Sequence, residues 1–523
     1  MNRVFSVVWN SSLQVWAVAS ELAPRAGKTA TSLPAAVAVA LLGFGGAAAA
    51  ACTASGSVIT CAVGAPHEDR IGLGPDTPAG TSVIVNPGAL VSVGNQTAIS
   101  IGSGSSIEVR GTVQNAALDG SNSFYRTGAN TTELHSNNTL TIEQGGKVFS
   151  LGSSGMAEAI NPIGTGNVIT NNGEVRSGAG GGAFWFEATS GRNTLINGAT
   201  GVIESTTPGS NIMGVNGTMA LDFVNKGQVL GALTFADGDD RLTIHDGSFI
   251  RDGIDGRGGN NTLALAGTRV DSFSKGFVNF QNLINEDNGT WTSLNAWPGS
   301  GITSTRVAGG TLVLGTSASA YTGSMTVDAP GTLETTAGFA PLAITDNGIV
   351  RFAQPTSASY TGLLTGSGGI EKTGAGTLTL TRDQAITGTT TISAGTLELG
   401  TGLAAGKVDG PIVDNAALVI NRSDAVTFSA PISGSGRVTQ FGTGTTIFTA
   451  DNSYGGGTTI THGALQLGAG GTSGRLMGDI RNDSALILNR SDTLQLQGAI
   501  SGSGSLRQIG SGTSVLSGAN SYG

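Results

Sequence analysis

The chain of 523 residues is poor in charge, with 12% Asp, Glu, Lys and Arg, rich in glycine, with 85 residues, and carries a net charge of −9. An acidic chain with no basic run lacks the electrostatic footprint of a nucleic-acid binder, so no nucleic-acid partner is expected. Val, Ile and Leu recur among Gly, Asn, Ser and Thr, which excludes a merely disordered chain and predicts short strands joined by tight turns.

The N-terminal 51 residues fall into two parts. Residues 29–51 hold an apolar, Ala/Gly-rich run from Leu33 to Ala51, preceded by Arg25 and Lys28 and ending in A-x-A choices, which is how a cleavable secretory signal reads, with cleavage near Ala51. The alternative is a membrane anchor, since the run is about as long as a span needs; Gly43, Gly45, Gly46 and the terminal alanines make it poorly hydrophobic. Ahead of it, residues 1–28 carry Met1, Asn2, Val8, Trp9, Asn10, Leu13, Trp16, Val18, Ser20, Glu21, Leu22, Gly27 and Lys28. This segment resembles the extended signal-peptide region of very large autotransporters and related Gram-negative surface proteins, departing at Ser6, where the family usually has a basic residue. The resemblance implies type V secretion: export by the Sec machinery through the periplasm to the cell surface or outer membrane, or secretion, with a C-terminal β-barrel in the outer membrane as partner.

Cys52 and Cys61, the two cysteines of the chain, follow the cleavage point. In an oxidising periplasm they are expected to pair in a small disulfide loop. The rival reading makes Cys52 the lipid-modified first residue of a lipoprotein, against which Ala49 stands where Leu is normal.

Residues 52–345 form an irregular stretch of the same character throughout. Small polar turns precede apolar residues Val148, Val175, Ile203 and Val229 at steps of 27, 28 and 26, which predicts one coil per step. Asn172, Asn197 and Asn225 suit positive-φ corners or stacked side-chain ladders. Phe184, Trp185 and Phe186 form an apolar knot that reads as core rather than as a sugar platform. The stretch from Asn282 to Ser300, with Trp291, Trp297 and Pro298, breaks the rhythm and is predicted to be a protruding loop or junction.

Residues 346–523 repeat. Asn421 to Asp424 recurs as Asn489 to Asp492 and Ile432 to Gly436 as Ile500 to Gly504, and the same 68-residue offset connects Gly376 to Gly444 and Leu399 to Leu467. Within a unit, Leu378 and Leu380, Leu397 and Leu399, and Leu418 and Ile420 alternate with polar residues, the mark of strands with one buried face. Their spacing of about 20 residues predicts three coils per unit in an all-β, right-handed parallel β-helix. The units resemble the passenger-associated repeat of autotransporters: GTLTLTRDQAITGTTTISAGTLELG from Gly376 to Gly400, GTTIFTADNSYGGGTTITHGALQLG from Gly444 to Gly468, and GTSVLSGANSYG ending at Gly523. The first departs at Arg382, Gln384 and Ile386, where Gly, Asn and Tyr are usual. The resemblance implies a structural role in secretion or folding, and a chain that continues past this mid-repeat end into a translocator barrel.

The residues present no catalytic, cofactor-binding or metal site. His67 and Glu68 begin like a zinc-protease helix, but Ile71 stands where the second His belongs, and His135, His245 and His462 are scattered. Asp237 to Asp240, and Gly256 to Leu263, are half-matches to a calcium-binding nonapeptide, more simply read as β-turns. The function expected is an adhesin or structural stalk, not an enzyme, whose partners are host-cell or bacterial surface ligands. The alternative is a β-helix enzyme acting on polysaccharide, whose acids would be sought first among Asp239, Asp240, Asp252 and Asp255.

Overall fold

The computed structural model describes residues 5–10, 15–20, 52–94, 96–115, 130–151, 158–178, 182–207, 209–271, 276–295, 301–317 and 321–522. The chain divides into two units, Met1–Gly45 and Gly46–Gly523. In the first, Phe5–Asn10 and Val15–Ser20 pair antiparallel. The cleavage point near Ala51 lies outside the described residues.

The second unit is a parallel β-solenoid of about 20 coils. Each coil runs along three faces. Face 1 is a 16-stranded sheet from Cys52–Ser55 to Ala385–Ile386, followed in chain order by a 5-stranded sheet from Ala425–Phe428 to Ser505–Gln508. Face 2 runs from Leu90–Val93 to Ile432–Ser433 in two sheets, then to the pair Thr493–Leu496 and Thr513–Leu516. Face 3 begins at Ile99–Ile101 and ends at Ser521–Tyr522. A strand such as Ser82–Val85 alternates because Val83 and Val85 point inward while Ser82 and Ile84 point out. Alone, a coil of four-residue strands could not cover its inner side chains; stacked in register, it can. Thus Ile59, Val83 and Ile107 lie over one another on face 1, and Leu140, Ile169 and Leu195 continue the column. All but Ile59 are within 1% of complete burial, and each such side chain contributes roughly 1.5–3 kcal/mol.

Val148, Val175, Ile203 and Val229 are paired in register on face 2, one coil per step. Along face 1 the step from coil to coil shortens, from a spacing of 24 to 33 between Val83 and Phe223 to one of 19 to 22 between Phe223 and Leu364. The strands keep their length, so the difference lies in the corners. Nothing interrupts the stack at residue 345, where Ala343–Asp346 pairs with Ser324–Val327 before it and Leu363–Gly366 after it.

Two expectations fail. The stretch from Asn282 is not a protruding loop: Asn282–Asn285 and Thr290–Asn295 are rungs of faces 1 and 2, and Trp291 is fully buried with its indole N–H donating to the Ala266 carbonyl at 3.1 Å. Its tryptophan disguised a core position as a break in rhythm. Residues 296–300, with Trp297 and Pro298, lie outside the described residues. Nor does a 68-residue unit make three coils. Leu363–Gly366 on face 1 has its counterpart in Ile432–Ser433 on face 2, Gly369–Thr373 on face 2 in Arg437–Gln440 on face 3, and Thr377–Leu380 on face 3 in Thr445–Phe448 on face 1. With coils of about 20 residues, the unit spans three coils plus one further face, so each repeat rotates the pattern by one face.

Candidate functional surface

The solenoid's corners are built by amide side chains. Where the chain leaves face 1, Asn171 donates to the side-chain oxygen of Asn197, and Asn197 to that of Asn225, both at 2.9 Å. All three are buried, and the oxygens of Asn171 and Asn225 accept the N–H of Gly173 and Gly227. Of the predicted corner residues, Asn197 and Asn225 therefore form the ladder with Asn171, while Asn172 lies one position outside it. The left-handed conformation expected of Asn172, Asn197 and Asn225 is not theirs; among the described non-glycine residues Asn137, Arg257 and Asn279 adopt it. A buried amide that spans two coils needs extended backbone, and the strained φ falls on the exposed turns instead. Where the chain enters face 1, a second ladder uses backbone donors: Asn138 N–H to Asn167, Asn167 N–H to Asn193, and Asp240 N–H to Asn261.

The acidic candidates belong to this scaffolding. Asp237 accepts the Gly258 N–H at 3.2 Å, Asp239 the Asn260 N–H at 2.8 Å, and Asp240 the Leu221 N–H at 2.6 Å. Asp252 pairs with Arg251, and Asp255 accepts the Arg257 N–H and the Asn279 side-chain amide. Burial pushes the Asp240 carboxyl up to about 7, a value that suits an acid catalyst, but the residue is 1% exposed and is held between coils. Gly259, at φ +80°, closes the calcium half-motif because a Cβ there would lie 2.0 Å from the Gly238 carbonyl oxygen. Among the described residues no three His, Cys, Asp or Glu side chains converge as metal ligands.

His67 lies in a bridge to Val91, not on a helix, and burial lowers its pKa. His135 and His245 are partly buried, and His462 sits edge-on to Phe441. Phe184 and Phe186 are core, stacked at 6.0 Å, whereas Trp185 points outward and is half-buried, its ring filling the space over Gly214. Cys52 and Cys61 are the terminal pair of an antiparallel hairpin, their sulfurs 2.04 Å apart, so the first strand covers the edge of face 1.

The repeat also encodes a device that sequence reasoning missed. Arg422, its side chain 6% exposed, grips Asp424 with two N–H groups, reaches Asp383 at 2.7 Å and donates to the Ala404 carbonyl. Arg490, its counterpart in the next repeat, does the same with Asp492 and the Thr472 carbonyl, near Asp451. The Asn-Arg-Ser-Asp motif carried the signal in its Arg-x-Asp spacing. It staples the corner loop of the preceding coil.

Outward side chains form long polar columns instead of a cleft. On face 2, Glu334, Arg351 and Glu371 are ion-paired across three coils, and Lys147, Glu174, Arg176 and Glu204 make a similar run. The described coils of the second unit thus form a stacked solenoid with an extended polar exterior.

Comparison with known proteins indicates its class. Residues 1–50 match the Extended Signal Peptide of Type V secretion system, and residues 309–334, 370–399, 438–467 and 506–523 match the Passenger-associated-transport-repeat. The chain is similar to the Adhesin BmaC autotransporter of Brucella suis biovar 1 (strain 1330), 35% identical over 170 residues, which is 28% of this chain and 5% of that protein. It thus spans a small part of the length of the curated relative it matches. The leader, the repeats and this similarity together support an autotransporter passenger with a type V secretion leader. The leader and this similarity support export to the cell surface, or secretion, in a Gram-negative bacterium.

Proposed function

We propose that this passenger is an adhesive stalk, which holds binding surface away from the cell and acts on no substrate. The observation that carries the reading is the use of the carboxylates: Asp239, Asp240 and Asp255 each hold a backbone N–H and Asp252 pairs with Arg251, so the four acids sought first are engaged in the scaffold rather than free to act as acid and base. A relative named as an adhesin supports it. The partner would be a host-cell or bacterial surface ligand, the mature chain would begin near Cys52, and the translocator barrel would lie C-terminal to these coils.

The test replaces Asp239, Asp252 and Asp255 with Asn in the displayed passenger. Binding of the expressing cells to host cells, to one another or to abiotic surfaces should be unchanged. A glycosidase or lyase would instead lose about 10²–10⁴-fold of its turnover on a polysaccharide panel. Turnover by the native passenger that these variants abolish would overturn the adhesin reading.

A further inference from the structure

Three buried carboxyls occupy places that amides fill elsewhere in the solenoid. Asp346 and Asp414 are repeat counterparts of Asn482, at successive 68-residue steps, and all three are fully buried. Asn482 accepts the Ser484 N–H with its oxygen and donates its amide to the Ser505 carbonyl at 2.9 Å. Asp346 and Asp414 make the first of these bonds, to Gly348 at 3.1 Å and Ala416 at 3.0 Å. Their second oxygens, which stand where Asn482 has its donor, are buried without a partner. By the repeat, the carbonyls corresponding to Ser505 are those of Gly369 and Arg437. Asp240 repeats the arrangement in the other ladder: one oxygen accepts the Leu221 N–H and the second is buried and unpartnered, where the amide of neighbouring Asn261 donates to the Gly256, Gly258 and Asn279 carbonyls.

A carboxylate has no hydrogen to give; a carboxylic acid has one. We propose that Asp240, Asp346 and Asp414 carry protons in the folded passenger and serve as acid rungs, so that the solenoid is tightened in mild acid and loosened as the medium becomes neutral to alkaline. Burial acts in the same direction, raising Asp240 and Asp346 to about 7 and Asp414 to about 6. The charges that face them are few. Arg192, Asp222 and Asp239 act on Asp240, Arg437 acts on Asp414 beside the Tyr454 hydroxyl, and among the described residues no charged side chain acts on Asp346. A folded value above the unfolded one means that the stabilisation is complete below about pH 4 and is lost as pH rises through 6 to 7. His67 and His245, whose values are lowered, work in the opposite sense, so the three rungs are isolated by difference.

The experiment compares the exported chain with its D240N/D346N/D414N variant, in which each acid becomes the residue that neighbouring rungs already use. Between pH 5 and pH 8 the unfolding constant of the native chain should rise relative to the variant by about tenfold or more per carboxyl, read as a falling denaturant midpoint and faster amide exchange around Leu221, Gly348 and Ala416. Infrared spectra at pH 5.5 should show protonated-carboxyl absorption in the native chain that the variant lacks, and this titration decides the matter alone if the variant fails to fold. Parallel pH profiles, or no protonated carboxyl at pH 5.5, would overturn the proposal.

Discussion

Leu399 and Leu467 occupy the same place in successive repeats, yet Leu399 enters the core from face 3 and Leu467 from face 1. Both are fully buried, so one sequence pattern satisfies two different walls of the solenoid. This is possible because every wall makes the same demand: turn alternate apolar residues inward and leave a glycine where the coil below comes close.

Gly410 and Gly455 test that demand. A Cβ on Gly410 would lie 2.0 Å from the Gly388 carbonyl oxygen, whereas one on Gly455 meets nothing within 4 Å. Gly410→Ala should destabilise the passenger by about 2 kcal/mol or more through forced separation of coils. Gly455→Ala should stay within about 0.5 kcal/mol, both read from denaturant midpoints.

Trp291→Ala should cost about 3–5 kcal/mol, because it empties a fully buried site and leaves the Ala266 carbonyl without its indole donor. Excision of residues 290–295 should likewise fail, since it removes a rung from face 2. Survival of that deletion with an unchanged midpoint would restore the loop reading.

Arg422→Ala should free the corner loop of residues 400–406. The guanidinium is buried while Asp383 and Asp424 are partly exposed, so after screening a loss of about 1–3 kcal/mol is expected, felt locally. Limited proteolysis should cut this loop first, and Arg422→Lys should not restore protection because an ammonium cannot grip Asp424 with a planar pair of donors. The Arg422 hydrogen bond holds Asp424 below its ordinary value, so this contribution is present at neutral pH and lost in acid.

Cys52→Ser combined with Cys61→Ser should loosen the N-terminal hairpin by about 2–3 kcal/mol, the entropy of so short a closure, while later coils keep their exchange protection. The intact chain should gain the mass of two hydrogens on reduction. A diacylglyceryl group on Cys52 would instead establish the lipoprotein reading.

Much of the architecture was legible because the core is periodic: Val148, Val175, Ile203 and Val229 stand out at regular steps, and each proved to be one coil. Trp291 misled because a large aromatic in a polar stretch resembles a protrusion, and only the partner coils show that it is enclosed. Asn172 was mistaken for its neighbour Asn171 because a ladder depends on register, which one strand does not reveal. The acids around Asp239 looked available for chemistry since their partners are backbone N–H groups a whole coil away, invisible in a string of letters. Asp346 and Asp414 passed unnoticed among ordinary turn residues.

The one-face advance per repeat governs what a binding partner can see. A feature encoded once in every repeat is displayed like treads around a spiral stair, and it returns to the same side only after three repeats, ten coils or about 48 Å further along. A bivalent receptor approaching from one direction therefore meets widely spaced copies, whereas many receptors arriving from all sides find them at every heading. Lengthening the array by whole repeats would add reach while keeping that all-round display, and no side of the solenoid would become a continuous stripe of one chemistry.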